Sequence, residues 1–306
     1  MAKKSKLIGV LLLLLAAFVW GFAFTAQRKG MANLTPAQFI AIRFVLAGVL
    51  LMPVVALSDR LGRVNCHCYW KAWKDKRLWL YGSLCGLFLG VASLLQQWGL
   101  VDASAGKGGF LTVLYIIGVP ILGMFWGRKT TPLLWVAVAL ALVGSYFLCA
   151  SDGLGGGIEW CDILLILCAV VFSFHILAID RFIVSIDAIR ASVVQSLVTG
   201  VVGFFVSFMC GETWTLSGIY EAAIPILYCA ICSSGIGYTC QLLGQRSVHP
   251  VVASLLMSLE SVFAAIGGYF VLGEKLSTNE LLGCVIIFVA VILAQIPYKK
   301  TKNNNK

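Results

Sequence analysis

The stretch "LIGVLLLLLAAFVWGFAFTAQ", residues 7–27, decides how the rest of the chain is read, because it runs its whole length without a charge. A helix that crosses about 30 Å of hydrocarbon needs about 20 apolar residues at about 1.5 Å each. Lipid offers backbone amides no partner, so such a run closes its own hydrogen bonds as a helix. The basic start "MAKKSK" followed by an apolar run also has the form of a secretory signal. It lacks a convincing small-x-small cleavage site with a polar mature start behind it, so the stretch reads as a first membrane span.

The remainder supports that reading. The chain of 306 residues is 60% hydrophobic and 12% charged, with a mean hydropathy of +0.95, against about 45–50% apolar usage in soluble domains. Ten runs have the length and composition of spans: 7–27, 36–56, 78–99, 105–126, 132–150, 160–180, 188–209, 222–243, 250–272 and 279–297. The joints between them are short and carry turn formers, such as Thr35-Pro36, Thr131-Pro132, His249-Pro250 and the glycine tract of residues 151–157. Only 57–77 is long enough for an interfacial segment, with Trp70, Trp73 and basic residues suited to a headgroup boundary. The predicted fold class is therefore an all-α integral membrane protein of ten transmembrane helices, with no room for a soluble catalytic domain.

Basic residues near span ends orient the chain. If the N-terminus is cytoplasmic, most of the 23 Lys and Arg residues fall on inner segments, whereas outer joints hold only Arg28, Lys29 and Lys275. The prediction is a multi-pass protein of the cytoplasmic membrane with both termini inside. The net charge of +10 follows from this bias and from attraction to anionic lipid, so nucleic acid is not an expected partner. The 11 cysteines are odd in number and lie mostly within spans, so they imply no disulfide framework. Cys66-His67-Cys68 has metal-ligating residue types but lacks the second half-site a four-coordinate zinc needs, so no metal and no cofactor is expected.

The ten spans divide into two fives. "AIRFVLAGVL" (41–50) lies on "VVQSLVTGVV" (193–202) at an offset of 152, pairing Arg43 with Gln195 and Gly48 with Gly200. "SLLQQWG" (93–99) lies on residues 238–244 at an offset of 145, pairing Gln96 with Gln241 and Gly99 with Gly244. Five is odd, so the second half crosses from the opposite side, and the halves form an inverted repeat of the kind that builds transporters.

The segments "FVWGFAF" (18–24), "PAQFIAIRF" (36–44) and "SLESVFAAIGGYFVLGEKLSTNELLGCVIIFVAVIL" (258–293), with the five-plus-five plan, resemble the EamA family of the drug/metabolite transporter superfamily. The resemblance covers nearly the whole chain. It implies two EamA-like five-helix repeats, 7–150 and 159–297, followed by a basic cytoplasmic tail, 298–306. Relatives export amino acids, drugs and other metabolites or exchange sugar derivatives. Two departures stand out: the first half has Gly127-Arg128 where the family often has Gly-Glu, which the second half keeps as Gly273-Glu274, and Ser261 replaces the proline that commonly follows the mid-span glutamate.

Depth then ranks the polar residues. All acidic residues except Glu260 lie in joints or near span ends. Glu260 lies ten residues past Pro250, about 15 Å into the membrane. A charge there costs about 2.5 kcal/mol or more, so it faces the bundle interior or a wet cavity. It reads as a proton-binding carboxylate, as a counter-charge for a substrate amine, or as a structural acid bonded to a neighbouring helix. At the offset of 145 it pairs with Tyr115, at a similar depth in span 4, so spans 4 and 9 are expected to face each other.

Lys107, flanked by Gly106, Gly108 and Gly109, either snorkels to the headgroups or receives a carboxylate or phosphate from outside. Arg43 is too deep to reach either surface and requires an internal partner. Gln96, Gln97 and Gln241 bond substrate or tie helices together. His175 titrates near neutral pH unless packing satisfies it, and Trp20 walls a cavity or simply packs. Gly82, Gly86 and Gly90, four apart, read as a close-packing seam.

Enzymatic motifs are missing: there is no His-Glu-x-x-His, no Gly-x-Ser-x-Gly and no phosphate loop. The functional expectation is a secondary transporter that moves a small polar metabolite, an amino acid or related compound, outward by alternating access with protons as a candidate coupled ion. It acts as a monomer or homodimer in the bilayer. A drug, sugar-derivative or organic-anion exchanger and a channel or non-transporting scaffold are the alternatives.

Overall fold

The computed structural model describes residues 2–61, 71–103, 105–149, 158–267, 269 and 277–296. The Cys66-His67-Cys68 cluster, Trp70, the glycine tract of 151–157, Gly273-Glu274, Lys275 and the tail 298–306 lie outside the described residues. Among the described residues there is no strand. Nine helical stretches are long and apolar enough to cross a membrane, and a shorter apolar helix, Pro132–Leu148, supplies the fifth of ten spans.

Span 1 is the helix Ala2–Gly30. Leu7, Leu11, Leu15 and Phe18 are exposed along one side of it while Leu13, Ala16 and Ala17 are buried. Apolar exposure at three- and four-residue spacing is a lipid-facing stripe, which a helix in water could not sustain. Spans 2 and 3 are the helices Pro36–Leu61 and Lys76–Asp102. Spans 6, 7 and 10 are Trp160–Phe182, Ala188–Met209 and Thr278–Gln295. Their starts are capped: Asp75, Asp187 and Ser277 accept from the first-turn amides, and Glu159 with Asp162 closes a capping box.

Three spans are interrupted. Span 4 is Ala105–Val113 then Tyr115–Phe125, and span 9 is Pro250–Met257 then Glu260–Gly267. The residues that the repeat pairs, Tyr115 and Glu260, therefore each open the second segment of a broken helix. No proline is needed for the break in span 9. Ser254 and Ser258 donate their hydroxyls to the carbonyls of Val251 and Leu255 at 2.9 and 2.8 Å, competing with the helical ladder and bending it. Span 8 changes form at its centre: Ala223–Tyr228 is α-helical, Cys229–Gly237 is a π-helix and Tyr238–Gln245 returns to α. Wide π turns recur at functional sites because they leave carbonyls free for other partners.

The packing repeats across the two halves. Span 1 packs on spans 8 and 9, and span 6 on spans 3 and 4; spans 2 and 7 pair along their length, as do 5 and 10. The Gly82, Gly86 and Gly90 seam of span 3 lies against Val194, Gln195 and Val202 of span 7, and the Thr199 hydroxyl donates to the Gly86 carbonyl at 2.9 Å. The chain is thus an all-α bundle of two inverted five-helix repeats.

Polar ties join spans at both ends of two pairs. At the end where the chain starts, Arg190 of span 7 pairs with Asp59 of span 2, and Arg128 of span 4 pairs with Asp180 of span 6 at 2.5 Å. At the opposite end Thr35 donates to Glu212 at 2.6 Å and Gln38 to the Thr213 carbonyl at 2.9 Å, again joining spans 2 and 7. Lys107 there joins span 4 to span 6. The departure Arg128 thereby has a structural partner, reached by a turn at Gly127, whose φ of +75° suits glycine.

Candidate functional site

Between the halves lies a narrow cavity with about 40 Å³ of room for the centres of water-sized molecules. The first half contributes Trp20, Phe24 and Gln27 from span 1, Arg43 from span 2, Gln96 from span 3, and Thr112 and Tyr115 from span 4. The second contributes Phe172 and Ile176 from span 6, Ser233, Tyr238 and Gln241 from span 8, and Met257 and Glu260 from span 9. A pocket shared in this way is the arrangement expected at the interface of inverted repeats.

At its centre the Tyr115 hydroxyl donates to the Glu260 carboxylate at 3.2 Å. Both residues are buried, and the bond joins span 4 to span 9 across the repeat. The interruptions in both spans bring the two side chains to facing helix starts. Trp20 donates its indole N–H to the carbonyl of Ser233 at 3.1 Å, taking up an oxygen of the π segment. A Cβ on Gly237 would lie 2.5 Å from that indole nitrogen, so the approach depends on glycine. The Tyr238 ring packs at a tilt against Trp20 and Phe44, with centroids 4.9 and 5.8 Å away, and lines the same cavity as Arg43 and Glu260.

Arg43 is 2% exposed. Its guanidinium lies 4.7 Å from the Phe44 ring centroid and 5.6 Å from that of Phe39. Its Nε has no hydrogen-bond partner, and among the described residues no carboxylate forms an ion pair with it. The internal partners expected for Arg43 are thus a pair of aromatic rings and the Cys229 thiol, which attract a cation without neutralising it. Gln96 donates to Thr112 at 3.3 Å, tying span 3 to span 4, while Gln241 leaves its carbonyl oxygen unpartnered.

Six of the residues singled out from sequence therefore line one cavity: Glu260, Tyr115, Arg43, Gln96, Gln241 and Trp20. Three do not. Lys107 is held by Glu159 at 3.1 Å and Asp162 at 2.8 Å near the end of the bundle. His175 Nε2 lies 3.2 Å from the Gln195 amide oxygen, and its ring meets Tyr238 edge-on at 6.1 Å. Gln97 is fully buried and leaves both amide atoms unpartnered away from the cavity. Tyr238, Ser233, Gln27 and Thr112 were not singled out. The offset that pairs Gln96 with Gln241 also pairs Ser93 with Tyr238, so Tyr238 had a sequence signal. Ser233 had none, because its contribution is a backbone carbonyl set by the π turn.

An inverted ten-helix repeat that encloses a polar cavity between its halves defines a multi-pass membrane transporter with a small-molecule substrate. The model of the EamA-like transporter family matches residues 7–150 and 159–295, and the chain belongs to that family. It is 25% identical to the uncharacterized inner membrane transporter YedA of Escherichia coli (strain K12), over 91% of this chain and 87% of that protein. It is 25% identical to an uncharacterized transporter of Archaeoglobus fulgidus over 93% and 84%, and 24% identical to a chloroplastic WAT1-related protein of Arabidopsis thaliana over 92% and 67%. A solved crystal structure superposes with a TM-score of 0.75 at 17% identity, covering 94% of this chain and 96% of that one, which shows a shared fold.

Proposed function

We propose that this transporter is a secondary carrier of the cytoplasmic membrane that exports a small polar metabolite, an amino acid or related compound, by alternating access with proton exchange at Glu260. The observation that carries the reading is the Tyr115–Glu260 bond at the seam between the halves. A proton and a substrate cation neutralise the same carboxylate, so binding of one displaces the other, and a carrier that reorients only when the site is occupied exchanges them. Spans 2 and 7, and spans 4 and 6, are tied at both ends, so each pair moves as a unit while the remaining contacts between halves rearrange. The cytoplasmic placement of both termini rests on the basic residues that gather at the end where the chain starts. The direction rests on the resemblance, whose members include exporters.

The test is counterflow in proteoliposomes with and without a pH gradient. Saturable counterflow selects a carrier; a conductance without counterflow selects a channel and overturns the reading. Glu260→Gln is expected to weaken counterflow of amine-bearing solutes and to make whatever exchange remains independent of the gradient. If gradient-driven flux survives in this variant, Glu260 is not the proton site.

A further inference from the structure

The cavity holds one fixed cation and one acid that form no ion pair with each other. Arg43 comes from the first half and Glu260 from the second, and their approach exceeds ion-pair distance, since no ion pair joins them among the described residues. Three residues that line the same cavity each carry a polar atom without a partner: the Arg43 Nε–H, a donor, and the Gln27 and Gln241 amide oxygens, both acceptors. Their residues are 2%, 4% and 2% exposed. Unsatisfied polar atoms at that burial are costly, and where their residues share one cavity a molecule bound there can satisfy them together. The unsatisfied donor is on the cationic residue, and the acceptors share the cavity with the acid.

We propose that the transported solute is dipolar: its carboxylate, or an equivalent anionic group, binds Arg43, and its ammonium group binds Glu260 with the help of the Gln27 and Gln241 carbonyls. Arg43 is then the residue that determines specificity. A solute of one sign meets a like charge at one wall, and a neutral solute leaves both charges uncompensated in a low-dielectric site. A dipolar solute satisfies both ends and bridges the two halves. The aromatic rings around Arg43 hold the guanidinium in place while leaving its charge for the substrate, which a carboxylate partner would have cancelled. The narrow cavity limits the solute to a small molecule.

This inference rests on the carrier reading above, and the experiment separates the two. Proteoliposomes containing the full-length protein are loaded with a uniformly ¹³C-labelled small-molecule extract of the expression host, and exchange of each solute against protein-free liposomes is followed by mass spectrometry. Serine and phenylalanine are compared with their hydroxy-acid and amide analogues, which keep only the negative or only the positive end. The expected result is protein-dependent exchange of solutes that carry both an amine and an anionic group, with single-charge analogues slower by about tenfold or more. Arg43→Gln is expected to shift preference towards the cationic amides, and Glu260→Gln towards the hydroxy acids. These are changes in the order of substrates, which a purely structural role would not produce. Protein-dependent exchange confined to solutes of one sign or none overturns the dipolar inference and leaves the carrier intact. Absence of protein-dependent exchange for every solute overturns the carrier reading itself. The wild-type comparison decides the matter even if Arg43→Gln does not fold.

Discussion

Removing Asp59 tests whether the tie between spans 2 and 7 holds the bundle together. Arg190 has 5% of its side-chain surface exposed, and Asp59 12%. In Asp59→Ala the guanidinium keeps Asp187 at 3.3 Å, but that carboxylate is 45% exposed and screened by solvent. It also keeps the Trp73 ring, 5.7 Å from its centre. Breaking a buried pair from one side costs about 3–5 kcal/mol. Asp187 and Trp73 offset part of that, so the expected cost is about 2–3 kcal/mol. At about 2–4 °C per kcal/mol, the apparent melting temperature in detergent falls by about 5–10 °C. Arg190→Met is expected to cost less, because Asp59 and Asp187 sit near the end of the bundle and can hydrate. The double variant is expected within about 1 kcal/mol of wild type, since an apolar pair replaces a buried ion pair nearly neutrally. The assay is a double-mutant cycle on melting curves recorded at one heating rate, with a coupling energy of about 2 kcal/mol. Single variants indistinguishable from wild type, or an additive double, would refute the claim that this pair ties the helices.

Lys107→Met removes the tie of span 4 to span 6 and is expected to lower stability by about 1–2 kcal/mol with the KM for substrate unchanged; a KM raised tenfold would show instead that Lys107 receives substrate. Gly237→Ala places a methyl group against the Trp20 indole and breaks its bond to Ser233, so substrate affinity is expected to fall together with a loss of about 1–3 kcal/mol in stability; unchanged counterflow kinetics count against Trp20 as a cavity wall. Burial, with a smaller contribution from Arg128 against an opposing one from Asp180, holds His249 below the ordinary histidine range. The fold therefore prefers its neutral form. That contribution is whole above about pH 6.5 and is lost as pH falls through the unfolded value towards the lower folded one, with a slope of at most about 1.4 kcal/mol per pH unit. His249→Asn, which can keep the cap that the ring gives to the Val251 amide, is expected to flatten the decline in melting temperature between pH 7 and 5; an identical decline would place the acid sensitivity elsewhere.

Residues 7–27 already carry the fold class, because a charge-free run of that length has one stable form in lipid, and the same argument applied along the chain yields ten spans. The pairing of Tyr115 with Glu260 was also legible, since repeats conserve register even where they do not conserve residues. Three things were not. Lys107 and Glu260 look equally costly as charges in or beside a span, and only the packing of spans 4 and 6 shows that Lys107 is satisfied by Glu159 and Asp162. His175 is turned to Gln195 by the rotation of span 6, which an apolar helix without a polar face does not reveal. The π turn that presents the Ser233 carbonyl to Trp20 has no residue pattern, because it depends on backbone bonds exchanged among neighbours.

Sequence alone thus determined the membrane, the number of spans and the depth of each polar group, all of which follow from hydrophobicity and rise per residue. Which polar groups meet was decided by the tertiary structure. Contacts between spans depend on helix rotation and on the breaks in spans 4, 8 and 9, and those are settled by packing between segments far apart in the chain, 145 residues for Tyr115 and Glu260 and 213 for Trp20 and Ser233.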